Sequence, residues 1–192
     1  MREIRTEGVI LKSRNLGEND KIVTIFTPSF GKIEAKARGG RKLLSHFTGH
    51  LELLSICDFA LYKSTREIFT ITQCRTIKTF KKIKKDLNLI NQAIEITELI
   101  NLNTALEHPI QGMFEILKNT LGRLEQNPNE TEKIVVDYVI KLLNMLGFLP
   151  HENITKKEIR EIMEKHLNLP HMSFSTRKTF CTCSILSRIL SN

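Results

Sequence analysis

Five cationic side chains fall within one short segment of this 192-residue chain, between Gly31 and Lys42. In this segment small or branched apolar residues at 33, 35 and 37 alternate with charged residues at 32, 34, 36 and 38. Such alternation places the apolar set on one face of a β-strand and the charged set on the other. A half-buried strand with a cationic outer face, leading into a basic Gly-Gly turn, suits a polyanionic ligand. The candidate binding residues are Arg14, Lys21, Lys36, Arg38, Arg41 and Lys42.

The excess of positive charge is confined to the first half of the chain. Residues 1–85 contain eighteen Lys and Arg against eight Asp and Glu, whereas residues 86–192 contain eleven against thirteen. This imbalance favours binding to a nucleic-acid backbone. Such binding should weaken as the salt concentration rises, because each neutralised phosphate releases counterions. The alternative is that these cations only solvate a surface. The cluster at 81–85 either extends the basic track or forms the solvated start of a helix.

The spacing of apolar residues predicts an α+β protein of two domains. Short strand-like segments fill residues 5–78 and predict a five-stranded OB-fold barrel over residues 1–80. Apolar residues at helical spacing follow, which predicts an α-helical domain over residues 81–192. The expected strands include 21–27, 32–38, 51–62 and 68–77.

Three apolar stripes predict the helices, and local signals predict some of their ends. Asn129 and Glu132 are placed as an N-cap and its N3 partner, with Gly147 as the stop signal. A second capping box is expected at 155–158 and a last helix at 176–190. The stripes are Leu89, Ala93, Ile96 and Ile100, then Met113, Ile116, Leu117, Leu121 and Leu124, and finally Val135, Tyr138, Leu142 and Met145.

OB folds bind single strands across strands two and three, with cations following the phosphates and aromatic rings stacking on bases. Phe30 and Phe47 flank the basic strand, and each either stacks on a base or packs in the core.

Metal-binding and catalytic signatures are absent from the sequence. Cys181 and Cys183 form a C-x-C pair whose side chains would point apart in a helix, and His151, His166 and His171 lie before them. We therefore expect no metal and no cofactor. The sequence has no P-loop, no G-x-S-x-G and no H-E-x-x-H motif, so we expect no enzyme activity. No apolar run approaches a membrane span, no signal-peptide core follows Met1, and the cysteines suit reduced thiols, so a cytoplasmic protein is expected.

The N-terminal stretch resembles the RecO family of DNA repair and recombination mediators over roughly residues 3–65. The resemblance lies in the order and spacing of several pieces, and the segment 145–150 resembles the family's Gly-hydrophobic-Pro segment. Many members then carry four zinc-binding cysteines, but here no cysteine follows Pro150 until Cys181. The matching pieces are 7–12 (EGVILK), 17–23 (GENDKIV), 26–27 (FT), 31–32 (GK) and 37–42 (ARGGRK).

The resemblance implies a non-enzymatic mediator of homologous recombination, acting in the cytoplasm at the nucleoid. Such a protein binds single- and double-stranded DNA and anneals complementary strands. It engages the single-stranded-DNA-binding protein, whose acidic tail is expected to dock on the helical half, and acts with RecR to load RecA.

Two other function classes remain open from the sequence. One is an OB-fold module that binds RNA or single-stranded DNA without mediator activity, and the other is a DNA-processing enzyme. Annealing of strands coated with the single-stranded-DNA-binding protein separates a mediator from a passive binder.

Overall fold

The computed structural model describes residues 3–42, 45–63 and 68–148, together with positions 162 and 165. Within these residues five strands precede the helices, in the order predicted. The helix expected at 176–190 and the capping box at 155–158 lie outside the described residues. The elements are β1 (Ile4–Leu16), β2 (Asp20–Thr27), β3 (Gly31–Ala37), β4 (Ile56–Tyr62), β5 (Phe69–Lys78), α1 (Lys81–Lys85), α2 (Leu87–Asn103), α3 (Met113–Gln126), a 3₁₀ turn (Pro128–Glu130) and α4 (Thr131–Met145).

The five strands close into a barrel in the order β1-β2-β3-β5-β4, which confirms the predicted OB barrel. Neighbouring strands are antiparallel except for the short parallel contact between β3 and β5, which closes the barrel. On β3 the predicted alternation is present, since Ile33, Ala35 and Ala37 are fully buried while the residues between them are partly exposed. The apolar side chains of all five strands fill the barrel interior.

The start of the fourth strand was predicted wrongly. The structure begins β4 at Ile56, not at residue 51, and the preceding residues form turns. Leu54 adopts a positive φ of 65°, and its N–H donates to the carbonyl of Ile10 at 3.0 Å. Ile10 in turn donates to Ser55 at 3.0 Å, beside an irregularity in the pairing of β1 with β2. Residues 51–55 therefore form turns with buried side chains, including Leu51 and Leu54, rather than an earlier start of β4.

A segment after α2 completes the edge of β3. The pairing of β3 with β5 involves only Ala35 and Lys36, so the first half of β3 needs another partner. Leu106 forms a parallel bridge with Lys32, and the N–H of Glu107 donates to the Lys32 carbonyl at 2.7 Å. The burial that results lowers the pKa of Lys32.

The backbone packing groups this segment with the barrel and divides the chain into two units. Of the described residues, the barrel unit comprises those up to 81 together with 104–118, and the helical unit comprises 82–103 and 119–148. Within the barrel unit Lys118 Nζ donates to both carboxylate oxygens of Glu7, at 2.8 and 3.0 Å.

Most residues of the helical stripes predicted from the sequence are buried. All four residues of the first stripe are buried, and the later stripes are buried except for the partly exposed Ile116 and Met145. In the helical unit α2 packs against α4, where the buried Tyr138 hydroxyl donates to the carbonyl of Ile96 at 2.9 Å. No described helix is long and apolar enough to cross a membrane.

The ends of α4 match one predicted signal and contradict another. Asn129 is not the N-cap, because the chain first forms a 3₁₀ turn and α4 starts at Thr131 after Glu130, without a side-chain cap bond. Gly147 does end the helix, as predicted. Its N–H donates to Asn144, and the N–H of Phe148 donates to Leu143, which is the bond pair of a Schellman motif.

Candidate nucleic-acid interface

The pairing register separates the six predicted binding residues into different surfaces. Lys21 lies opposite Ala37, on the face that lines the barrel interior, whereas Ile22 lies opposite Lys36 on the outer face. Arg14 also pairs with Ile22 and so shares the outer face. Arg38, Arg41 and Lys42 follow β3 in an exposed turn.

The two outer-face cations each have an acidic partner. Lys36 Nζ lies 2.9 Å from an oxygen of Asp20, and an Arg14 nitrogen lies 3.7 Å from an oxygen of Glu34. Both pairs are partly exposed, so each contributes little to stability, although it reduces the local positive potential. The outer face of β3 is therefore less cationic than the alternation alone suggests.

Three of the four remaining cations gather at the mouth of the barrel. A groove of about 410 Å³ there is lined by Lys21, Arg41 and Lys42, together with Asn15, Gly40 and residues 47–49, 51 and 52. Glu52 is the acidic residue of that lining. Three cations against one anion leave a positive groove at the end of the barrel, which we call the mouth groove.

The turn that carries these cations is fixed to the neighbouring hairpin. The N–H of Arg41 donates to Asn19 at 2.9 Å, and its guanidinium donates to the carbonyl of Gly17 at 2.7 Å. Asp20 accepts from the N–H of Gly39 at 2.8 Å. This hydrogen bond, followed by that from Lys36, lowers the pKa of Asp20, so the carboxylate stays ionised at neutral pH.

The aromatic residues expected near the basic strand belong to the core. Phe47 is 6% exposed and packs within the barrel, although its edge reaches the mouth groove. Phe30 packs against the core, with its ring centroid 5.8 Å from that of Phe69. The structure thus favours the packing alternative for both rings. His46, which the sequence reasoning missed, is exposed beside Phe47.

Cys57 and Cys74 lie on neighbouring strands, and neither forms a disulfide. The Cys57 thiol donates to the carbonyl of His50 at 3.3 Å. The hydrogen bond with Cys57, together with burial, raises the pKa of Cys74, which favours the protonated thiol at neutral pH. Among residues 3–42, 45–63 and 68–148, no cluster of His, Cys, Asp and Glu could hold a metal ion. The predicted absence of zinc concerns His151, His166, His171, Cys181 and Cys183, which lie outside the described residues.

A closed five-stranded barrel of this topology, with a basic groove at its mouth, defines an OB-fold protein. Comparison with known sequences is more specific. The family profile described as "Recombination protein O N terminal" matches residues 1–80, and "Recombination protein O C terminal" matches residues 85–154. The chain belongs to the RecO family.

Relatives from distant bacteria agree with this assignment. The DNA repair protein RecO of Acetivibrio thermocellus is 31% identical over 150 residues, which cover 78% of this chain and 59% of that protein. The proteins of the same name from Nostoc punctiforme and Dehalococcoides mccartyi are 33% and 30% identical, covering 80% and 87% of this chain. The matches span 52% and 62% of those two proteins, so the chain corresponds to little more than half the length of its relatives.

Proposed function

We propose that this protein is a DNA-binding mediator of DNA repair and homologous recombination, and that the mouth groove binds the DNA backbone. The observation that carries the proposal is the convergence of Lys21, Arg41 and Lys42 in one groove at the end of the barrel. Lys21 lies 20 residues before the adjacent Arg41 and Lys42, and the fold brings the three positive charges to one concave surface. The relatives named above are DNA repair proteins, which favours DNA as the polyanion.

The fixed geometry of the groove supports binding rather than simple solvation. Arg41 is held by two hydrogen bonds to the β1–β2 turn, so less side-chain and loop entropy is lost when a phosphate binds. Lys21 extends from a strand of the barrel and is partly buried, which also restricts it. Arg38 is exposed in the same turn and extends the positive surface beyond the groove.

The mediator activity is the finer part of the proposal. It comprises annealing of complementary strands, binding of double-stranded as well as single-stranded DNA, contact with the single-stranded-DNA-binding protein, and action with RecR to load RecA. Family membership supports this part. The protein acts by binding alone, without a catalytic step or a cofactor, at the nucleoid in the cytoplasm.

The decisive test is annealing of two complementary strands coated with the single-stranded-DNA-binding protein. A mediator accelerates annealing of the coated strands, and the Arg38→Glu/Arg41→Glu variant does so much less. Binding without accelerated annealing would instead favour a passive OB-fold module. Labelled DNA incubated with the protein, Mg²⁺ and ATP is expected to remain unchanged, and a cleaved or modified product would contradict the non-enzymatic part of the proposal.

A further inference from the structure

A second groove lies on the barrel surface formed by β1, β4 and β5. It has a volume of about 660 Å³, and Phe47 lines both it and the mouth groove. The two grooves therefore adjoin at Phe47. We call this second depression the side groove; Arg5, His46, Phe47, Ala60, Gln73 and Arg75 are among the residues that line it.

The strand register explains the shape of the side groove. Arg5 pairs with Ala60, and Ala60 pairs with Gln73, so these residues form one row across three strands. The small side chain of Ala60 leaves a low floor between the long side chains of Arg5 and Gln73. The guanidinium of Arg5 donates to the Gln73 amide oxygen at 3.4 Å. The next row places Arg75 opposite Asp58.

The charge and polarity of the side groove suit a phosphodiester chain. Arg75 is 82% exposed and its contact with Asp58 is long, at 3.9 Å, so its guanidinium is available to a phosphate. Arg5, on the strand at the opposite side of the floor, adds a second exposed guanidinium, one nitrogen of which donates to Gln73. His46 offers an exposed ring on which a base can stack, and the amide N–H groups of Gln73, whose oxygen accepts from Arg5, can donate to a base edge.

We propose that the side groove is a second binding site for single-stranded nucleic acid, adjoining the mouth groove at Phe47. This inference rests on the proposed function and extends it. The second segment comes from one of two sources. It is either the continuation of the strand in the mouth groove or a separate strand, and two separate strands on one barrel would bring annealing partners together.

The first test compares charge-reversed variants of the full chain by fluorescence anisotropy with a labelled oligothymidylate. Arg5→Glu/Arg75→Glu is expected to weaken binding about threefold to tenfold at about 0.1 M salt, because two phosphate contacts are lost. Lys133→Glu/Lys141→Glu changes the charge equally at exposed residues of α4 that line neither groove, and it is expected to bind like the wild type. Arg5→Gln/Arg75→Gln removes the cations without adding anions near Asp58, in case the reversal disturbs folding.

A second measurement needs no variant. Photo-crosslinking of wild-type protein to a thiothymidine oligonucleotide is expected to label peptides containing His46 and residues 73–75. Charge variants that bind like the α4 control, together with no crosslink in these peptides, would overturn the side groove as a site. If the wild type binds no single strand at all, the proposed function itself fails, which is a different outcome.

Energy transfer identifies the source of the second segment. Two non-complementary strands of about 6 nucleotides, each short enough for one OB-fold site, carry a donor and an acceptor dye. Transfer that disappears in Arg5→Gln/Arg75→Gln supports the site and assigns it to a separate strand. A loss of affinity confined to a long strand, without transfer between short ones, supports the site and assigns it to the continuation of one strand.

Discussion

Asp20, the first residue of β2, accepts a hydrogen bond at 2.8 Å from the backbone of Gly39, which lies 19 residues further along the chain. Its second carboxylate oxygen lies 2.9 Å from Lys36 Nζ. One carboxylate thus joins the β1–β2 hairpin to the turn that carries Arg41 and Lys42. The shape of the mouth groove depends on this contact as well as on the cations themselves.

The Asp20→Asn variant should be less stable than the wild type at neutral pH, and the difference should depend on pH. The hydrogen bonds from Gly39 and Lys36 lower the pKa of Asp20 below its ordinary value of 3.8. The ionised carboxylate therefore stabilises the folded state above about pH 3.8, and this contribution is lost as the pH falls through the lowered pKa. Thermal unfolding of both proteins across this range is the measurement. Glu18→Gln, an exposed change in the same turn, is the control, and a difference for Asp20→Asn that persists unchanged into strong acid would contradict the assignment.

Reversing two charges of the basic turn should weaken DNA binding and make it less sensitive to salt. In the Arg38→Glu/Arg41→Glu variant fewer phosphates are neutralised, so the slope of log K against log salt should fall by about 0.7 for each lost contact with single-stranded DNA. Anisotropy titrations at several salt concentrations measure both quantities. The Lys133→Glu/Lys141→Glu variant controls for net charge. Circular dichroism checks folding, because Arg41 also anchors the turn, and unchanged affinity at about 0.1 M salt in a folded variant would refute the contact.

Gly31→Ala should destabilise the barrel more than Gly17→Ala does. Both glycines have φ near +60°, where a Cβ costs about 1–2 kcal/mol. At Gly31 the added Cβ would also overlap the carbonyl of His108, whereas at Gly17 no atom lies within 4 Å. Urea unfolding of the two variants isolates the contribution of the close approach between β3 and the segment at 104–110. Equal losses of stability would show that this segment moves aside without cost.

Tyr138→Phe should cost about 1 kcal/mol of unfolding free energy, because it removes the buried hydrogen bond to Ile96 while keeping the ring. Burial raises the pKa of Tyr138, so the hydroxyl remains protonated over the whole range of stable pH. Denaturant unfolding of the full chain measures the change. Tyr62→Phe, at a partly exposed position, is the matched control. A loss no larger than that of the control would mean that the bond does not hold α2 and α4 together.

Purified protein should contain no stoichiometric zinc. Elemental analysis of protein prepared without chelator is the measurement. The reason lies in the sequence after residue 150, which offers one C-x-C pair and scattered histidines in place of two cysteine pairs. About one zinc per chain would overturn the prediction and direct attention to His166, His171 and the late cysteines.

Local periodicity was enough to predict five strands followed by helices. In β3, α2 and α4, the side chains that face the interior recur at the regular spacing of a strand or a helix. Because this spacing is visible within a single element, it can be read from the sequence. The misplaced starts of β4 and α4 have a different origin. Residues 51–55 are as apolar as a strand, but the backbone hydrogen bonds between Leu54, Ser55 and Ile10 join them to β1 at an irregular point in its pairing. At residue 129, the Pro-initiated turn precedes the helix and displaces the cap.

The tertiary structure alone decided which cations lie together in one groove. The sequence indicated six basic residues as one set. In the structure, the β2–β3 register places Lys21 opposite Ala37, so the Lys21 side chain faces the barrel mouth. Lys36 lies on the outer face instead, where it forms a salt bridge with Asp20. Arg5 and Arg75 were not recognised at all, because they lie 70 residues apart and become neighbours of one groove only when β1, β4 and β5 close the barrel. Periodicity reports the face of one strand, whereas a binding groove depends on register and closure between strands that are distant in sequence.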